Sequence, residues 1–243
     1  MKANRRYLAF LKYQFKIIWG VNFYLAPLVA LLIPVSVNYP FYADPDVRIF
    51  WAVKMNEMFF PIIGIIIFSN LLSTEWENKT VSLWLSKPLP RSLMLVSRII
   101  IGAGYLLVVL TIPILFQHAR YAVFNIPGML LTVYPSALFL GILGLSIGTL
   151  TQNSPVSFLI PIAYWIMEIA TKSRYTGPLG LFSRATHPAC LTNACMQYIR
   201  GTDWILPKIA ILFGSLGLIF LTALLLKWKG RKFIHFQRTR SFG

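Results

Sequence analysis

The sequence contains little charge of either sign. Charged side chains make up 12% of the 243 residues, against about 25% in an ordinary soluble domain, whereas hydrophobic residues make up 57%. This balance excludes a disordered chain, a fibrous chain and an ordinary soluble enzyme. We therefore predict an all-α, polytopic membrane protein, because so much apolar surface cannot be buried inside a soluble globule of this size.

Acidic residues are the scarcest charged class. The chain has 7 Asp and Glu against 23 Lys and Arg, which gives a net charge of +16. In a soluble protein this excess would indicate a nucleic-acid partner, but no compact basic domain exists here that could form such a site. We predict instead that the basic residues flank membrane spans and contact anionic lipid headgroups, with no nucleic acid bound.

Cysteine is almost absent, which excludes a disulfide framework and the spacing of a metal-binding finger. We predict no metal site. Cys190 and Cys195 lie in one loop, at 172–203, on the predicted outer side of the membrane. They could form a disulfide if a turn brings them together, and two free thiols in a packed loop are the alternative.

Long apolar runs are what the sequence does have. Six segments approach the roughly 20 residues that a membrane-spanning helix needs. They run at about Trp19–Val37, Val53–Leu72, Leu93–Phe116, Leu130–Leu150, Val156–Thr171 and Trp204–Leu226. Most lysines and arginines fall inside if both termini are cytoplasmic, so we predict that orientation in the cell membrane. Gly144-x-x-x-Gly148 predicts close helix contact within the subunit.

The flanks and loops complete the predicted organisation. Residues 1–18 are expected to form an amphipathic helix in the cytoplasmic interface, and an extension of the first span is the alternative. Residues 19–226 form the six-span domain, with a long outer loop at 172–203. Residues 227–243 form a basic cytoplasmic tail, which we interpret as a membrane-surface anchor, with a contact to a cytoplasmic partner protein as the weaker option.

The inner loop at 73–92 is the most distinctive connection. Ser73 or Thr74 can cap a short helix whose first turn holds Glu75 and Glu77, and two prolines then end it. The pattern predicts an amphipathic helix on the cytoplasmic face. Such a helix could simply lie on the lipid, or it could dock a cytoplasmic partner.

This loop resembles the cytoplasmic loop of type-two ABC exporter permeases. That family has roughly Glu-x-Gly-Thr, a leucine-rich stretch, Pro-x-x-Arg and then a lysine. The matching residues here are Glu77, Thr80, Pro88 and Arg91, and a basic residue, Arg98, stands where the family has its lysine. The sequence departs from the pattern at Lys79, where the family often has glycine, and at Arg98, where it has lysine.

The resemblance implies a membrane subunit that pairs with a second permease copy or paralogue to form a pore. Two separate cytoplasmic ATP-binding subunits would drive it. The chain lacks the Gly-x4-Gly-Lys-Ser/Thr loop, so ATP and Mg would be bound by that partner, and we expect neither catalysis nor a cofactor in this chain. By the same resemblance, ATPase coupling falls to Glu75, Glu77, Thr80, Pro88 and Arg91.

The predicted substrate path follows from helical spacing together with the resemblance, which places the second and fifth spans beside the pore. Ser157, Tyr164 and Glu168 share one face of the fifth span, and Asn56 and Glu57 open the second span from outside. The surrounding wall is apolar and aromatic. It suits a hydrophobic or amphipathic substrate such as a peptide, drug or lipid.

Two interpretations of the acidic residues in this path are open. An intramembrane carboxylate indicates function by default, so Glu168 could act as a polar gate or cation contact near the exit. It could equally pair with Lys172 or contact Arg120. Lys54 is an ordinary partner for Glu57.

Three other functional classes compete with the exporter. An intramembrane enzyme is disfavoured, because the three histidines are dispersed and no close carboxylate pair exists. A channel or a transporter not driven by ATP, and a structural membrane assembly protein, are the alternatives that we retain.

Overall fold

The computed structural model describes residues 21–36, 45–69, 71–72, 91–120, 125–171, 181 and 205–240. Within these ranges the chain is helical apart from short turns. The six helices are α1 (Val21–Ser36), α2 (Pro45–Phe68), α3 (Arg91–Arg120), α4 (Ile126–Thr151), α5 (Ser154–Thr171) and α6 (Ile205–Arg240). The prediction of an all-α fold is confirmed for this part of the chain.

Four helices in the described ranges are long and apolar enough to cross a membrane. The qualifying segments are Leu95–Arg120, Ile126–Thr151, Ser154–Thr171 and Leu206–Trp228. They overlap the predicted third to sixth spans. A shorter apolar helix, Tyr24–Ile33, overlaps the first, and α2 overlaps the second. These helices support a membrane protein, whereas the count of six crossings stays a prediction.

Local capping contacts define both ends of α4 and the start of α5. The Asn125 side chain accepts a hydrogen bond from the Gly128 amide at the start of α4, at 3.3 Å. At the other end Gln152 adopts the left-handed conformation, and its amide donates to the Gly148 carbonyl. Asn153 then caps α5 by accepting from the Val156 amide at 3.1 Å. Each cap satisfies backbone groups that a helix end leaves open.

Helix α4 is the centre of the bundle and packs most extensively against α2 and α6. Two-thirds of its apolar window is buried, 67% against 17% for α5, so α4 has little surface left for lipid. Small residues permit the α2–α4 contact. A Cβ added at Gly141 would lie 2.7 Å from the Gly64 carbonyl oxygen, which is closer than carbon and oxygen normally approach. Helix α4 therefore makes a close contact inside the chain at Gly141, whereas the predicted contact through Gly148 stays a prediction.

Several predicted features lie outside the described residues. They are the interfacial helix at 1–18, the coupling loop with Glu75, Glu77, Thr80 and Pro88, and both cysteines. Arg91 is described only as the first residue of α3. Helix α6 continues without a break from the predicted sixth span to Arg240, through most of the segment predicted as a basic tail.

Candidate functional site around Leu181

A buried ion pair joins α2 to α6. The Lys208 Nζ lies 3.1 Å from a Glu57 carboxylate oxygen, and the two side chains are only 5% and 1% exposed. Charges buried inside a protein are costly unless they are paired, and here each charge has the other as its partner. Sequence analysis named Glu57 as a site residue but did not identify Lys208.

The same lysine binds the backbone of Leu181, a residue of the long loop. The Leu181 carbonyl oxygen accepts from Lys208 Nζ at 2.8 Å and from the Ser136 hydroxyl at 2.9 Å. The Leu181 amide donates to a Glu168 carboxylate oxygen at 3.0 Å. Side chains from α4, α5 and α6 therefore satisfy both backbone groups of one non-helical residue, as burial in an apolar interior requires.

The Leu181 side chain is also fully buried. It belongs to an apolar cluster with Ile65 of α2, Phe139 and Leu140 of α4, and Ile211 of α6. The site is thus a polar cradle for a peptide backbone beside an apolar pocket for a side chain. We call this arrangement the Leu181 site.

Aromatic residues of α5 border the Leu181 site. Tyr164 is half-buried and packs tilted against Phe139, with ring centroids 6.1 Å apart. The Trp165 indole nitrogen donates to the Met58 carbonyl oxygen at 2.6 Å. These contacts fix the orientation of α5 against α2 and α4, which in turn directs Glu168 towards Leu181.

The two interpretations of Glu168 can be compared with these contacts. Glu168 is fully buried and accepts the Leu181 amide, a partner that spacing along α5 could not reveal. Arg120 is exposed, and its guanidinium lies 5.7 Å from the centre of the Phe116 ring. Lys172 lies outside the described residues, so its pairing with Glu168 stays a prediction.

Asn56 makes a separate polar contact between α2 and α3. Its amide nitrogen donates to the Gln117 side-chain oxygen at 2.7 Å, and the Gln117 amide returns a bond to the Asn56 oxygen at 3.0 Å. Both residues are fully buried. Sequence analysis did not identify Gln117, because a single glutamine near a predicted span end looks like an ordinary boundary residue.

Ser157 lies at the opposite end of α5 from Glu168. Its hydroxyl donates to the Ser69 carbonyl oxygen at 2.9 Å, next to the point where α2 ends. Gly144 makes this contact possible, since a Cβ there would lie 2.9 Å from the Ser157 carbonyl oxygen. The structure therefore brings Glu57, Tyr164 and Glu168 to the Leu181 site but places Ser157 at a helix junction.

A buried arginine makes a further contact near that junction. Arg98 is 2% exposed, and its guanidinium donates to the Leu71 carbonyl oxygen at 2.9 Å. Leu71 precedes the predicted coupling loop and Arg98 follows it. The hydrogen bond thus ties together the two sides from which the loop departs.

The described side chains contain no group of three or more His, Cys, Asp or Glu residues that could hold a metal ion. Comparison of the chain with models of known protein families, with curated proteins and with solved structures gives no match.

Proposed function

We propose that the chain is the membrane permease subunit of an ATP-driven ABC exporter. Two permease copies, or this chain with a paralogue, would form the pore, and separate cytoplasmic subunits would bind ATP and Mg. The substrate would be hydrophobic or amphipathic. The observation that carries the proposal is the loop pattern Glu77-x-x-Thr80 followed by Pro88-x-x-Arg91 between two apolar helices.

The contact between Arg98 and Leu71 supports a mechanical role for this loop. Because this hydrogen bond joins the residues on either side of the loop, we expect the loop to transmit motion to the helices that carry it. Force applied to the loop by an ATPase would then act on α2 and α3 as one body, as rigid-body coupling requires. The basic residue at this position also belongs to the pattern that the sequence shares with the exporter family.

The apolar surface is consistent with a subunit surrounded by lipid and by a second permease. Where their side chains are described, helices α3, α5 and α6 all carry large exposed hydrophobic residues, for example Ile100, Leu159 and Phe213. Surface of this kind is unsuited to water. The apolar cluster of the Leu181 site, which includes the Phe139 ring, is consistent with a hydrophobic or amphipathic substrate.

The decisive experiment is co-purification with candidate ABC ATPases from the same genome, followed by ATP turnover in lipid nanodiscs. We expect a stable complex whose turnover falls at least tenfold in Glu77→Ala and Arg91→Ala. Lys79→Ala is the matched control, because it removes a charge from the same loop at a position where the sequence departs from the family pattern. Absence of any complex, or equal loss in all three variants, would reject the proposal.

The buried charges favour a second candidate, a transporter driven by an ion gradient. Intramembrane Glu and Lys residues are typical of ion and proton pathways, and the Leu181 site contains three of them: Glu57, Glu168 and Lys208. This candidate predicts uptake or release by proteoliposomes that requires a proton or sodium gradient and no ATPase. A structural assembly protein would show neither activity.

A further inference from the structure

We propose that the Leu181 site is a peptide-binding site and that Leu181 is its tethered occupant. The inference rests on the proposed export function and names its substrate class as peptides with a leucine-like residue in an extended segment. In this view a residue of the loop occupies the place that a cargo residue takes during transport.

The first argument is the chemistry of recognition. A peptide residue offers one N–H donor, one carbonyl acceptor and one side chain. The site provides the Glu168 carboxylate for the donor, the Lys208 ammonium and Ser136 hydroxyl for the acceptor, and an apolar cluster for the side chain. All of these polar contacts are made to the backbone of residue 181, so they do not depend on its side chain.

The second argument is how the polar groups are held. Lys208 is fixed by Glu57 at 3.1 Å and donates to Ser136 at 3.2 Å, so its position does not depend on Leu181 alone. The groups also come from α4, α5 and α6 rather than from the loop. Because the helices hold these groups in place, the site should keep its geometry when a cargo residue replaces Leu181. A site that binds both residues in turn requires this.

Because Leu181 belongs to the same chain as the site, we expect it to compete with any free peptide for the site. A tethered group competes at an effective concentration on the order of millimolar. Peptide at micromolar concentration then cannot displace Leu181 unless the tethered contact is weakened. Shortening the Leu181 side chain should therefore expose the site.

The test uses the full chain in phosphatidylcholine nanodiscs without an ATPase. The probe is acetyl-Ala-photoleucine-Ala-amide with an alkyne tag, and the half-saturating concentration for photolabelling is measured. We expect Leu181→Ala to label at a concentration at least about tenfold lower than wild type, from the lost burial of a leucine side chain. Equal labelling of the two proteins would overturn the inference.

A second probe separates backbone recognition from simple apolar binding. The same peptide with an N-methyl group on the photoleucine cannot donate to Glu168. We expect its affinity for Leu181→Ala to be about tenfold weaker than that of the parent probe. The difference should vanish in the double variant Leu181→Ala/Glu168→Ala. Equal binding of both probes to Leu181→Ala would reduce the site to an apolar crevice and reject the proposal.

Two controls complete the design. Leu206→Ala removes an exposed leucine of α6 and should label like wild type. If Leu181→Ala does not elute as a monodisperse protein, Leu181→Val replaces it, with an expected gain of about fourfold for one methylene. The peptide assay contains no ATPase, so it tests peptide binding separately from ATPase coupling. A negative result in the peptide assay rejects only the peptide-binding proposal. A negative result in the ATPase assay rejects only the coupling proposal.

Discussion

Glu57 of α2 and Lys208 of α6 form an ion pair of 3.1 Å at the point where the long loop meets the helical bundle. The two residues are 151 positions apart in the sequence, and each is nearly inaccessible to solvent. The pair therefore links α2 to α6, which are far apart in the sequence.

Removing one member of this pair should destabilise the protein far more than removing both. Glu57→Gln or Lys208→Met alone leaves a buried charge without its counterion and should lower the free energy of unfolding by about 3–5 kcal/mol. The double variant should recover at least half of that loss. Thermal unfolding in detergent, read as a double-mutant cycle, measures the coupling.

Lys54→Met is the control for this cycle, because Lys54 is the partner that sequence alone suggests and its side chain is partly exposed. It should change stability by less than about 1 kcal/mol. Additive effects of Glu57→Gln and Lys208→Met would show that the pair contributes nothing as a pair.

Gly64→Ala should disrupt the α2–α4 contact. A Cβ at Gly64 would collide with the backbone carbonyl of Ala137, which cannot move aside as a side chain could. We expect a loss of about 3 kcal/mol or more in the free energy of unfolding. Gly104→Ala and Gly217→Ala are matched controls, since nothing lies within 4 Å of their Cβ positions and alanine favours the helix by about 1 kcal/mol. Comparable losses at all three glycines would contradict this explanation.

Much of the helical architecture was predictable from apolar runs, because a membrane-spanning helix must satisfy its own backbone hydrogen bonds within one continuous segment. The ends were less predictable. Helix α2 starts at Pro45 rather than near Val53, and α6 continues to Arg240. A hydropathy pattern ends a predicted span where polar residues begin. The helix itself can continue through such residues, because its backbone hydrogen bonds do not require apolar side chains.

The candidate site was only half predictable. Glu57 and Glu168 were identifiable, because an acidic residue in an apolar run is costly wherever it lies. Their partners were not, because Lys208 and Leu181 are distant in sequence and are brought together only by helix packing. Ser157 shares a helical face with Glu168, but the length of α5 separates the two ends of that face.

The Asn56–Gln117 pair offers a second double-mutant cycle. Asn56→Leu alone leaves the Gln117 amide buried without its reciprocal bonds, which should cost about 1–2 kcal/mol. The double variant with Gln117→Met should cost no more than either single change, with a coupling of about 0.6–1.7 kcal/mol. Unfolding of all four proteins in the same detergent gives the result, and zero coupling would mean that water replaces the missing partner.

Gln152→Gly should stabilise the α4–α5 link. Gln152 is the only non-glycine residue with positive φ in the described ranges, at 59°, and glycine adopts this conformation without the usual steric penalty. We expect a gain of up to about 1 kcal/mol in thermal unfolding. Gln152→Val should have the opposite sign, because a β-branched side chain is especially unfavourable there. A lower thermal stability of Gln152→Gly would show that the positive φ at residue 152 is not a source of strain.

Arg98 provides a test that separates stability from coupling. Arg98→Met leaves the Leu71 carbonyl without this donor and should cost about 1–3 kcal/mol of stability. If the loop transmits force through its joined stems, the same variant should also lose the dependence of ATP turnover on the permease. Arg98→Lys keeps a charged donor and matches the family pattern, so it should retain most of the coupling. Lys227→Met, an exposed basic residue of α6, is the control and should behave like wild type in both measurements. Normal coupling in Arg98→Met would show that the hydrogen bond serves only stability, because the loop would then move α2 and α3 without it.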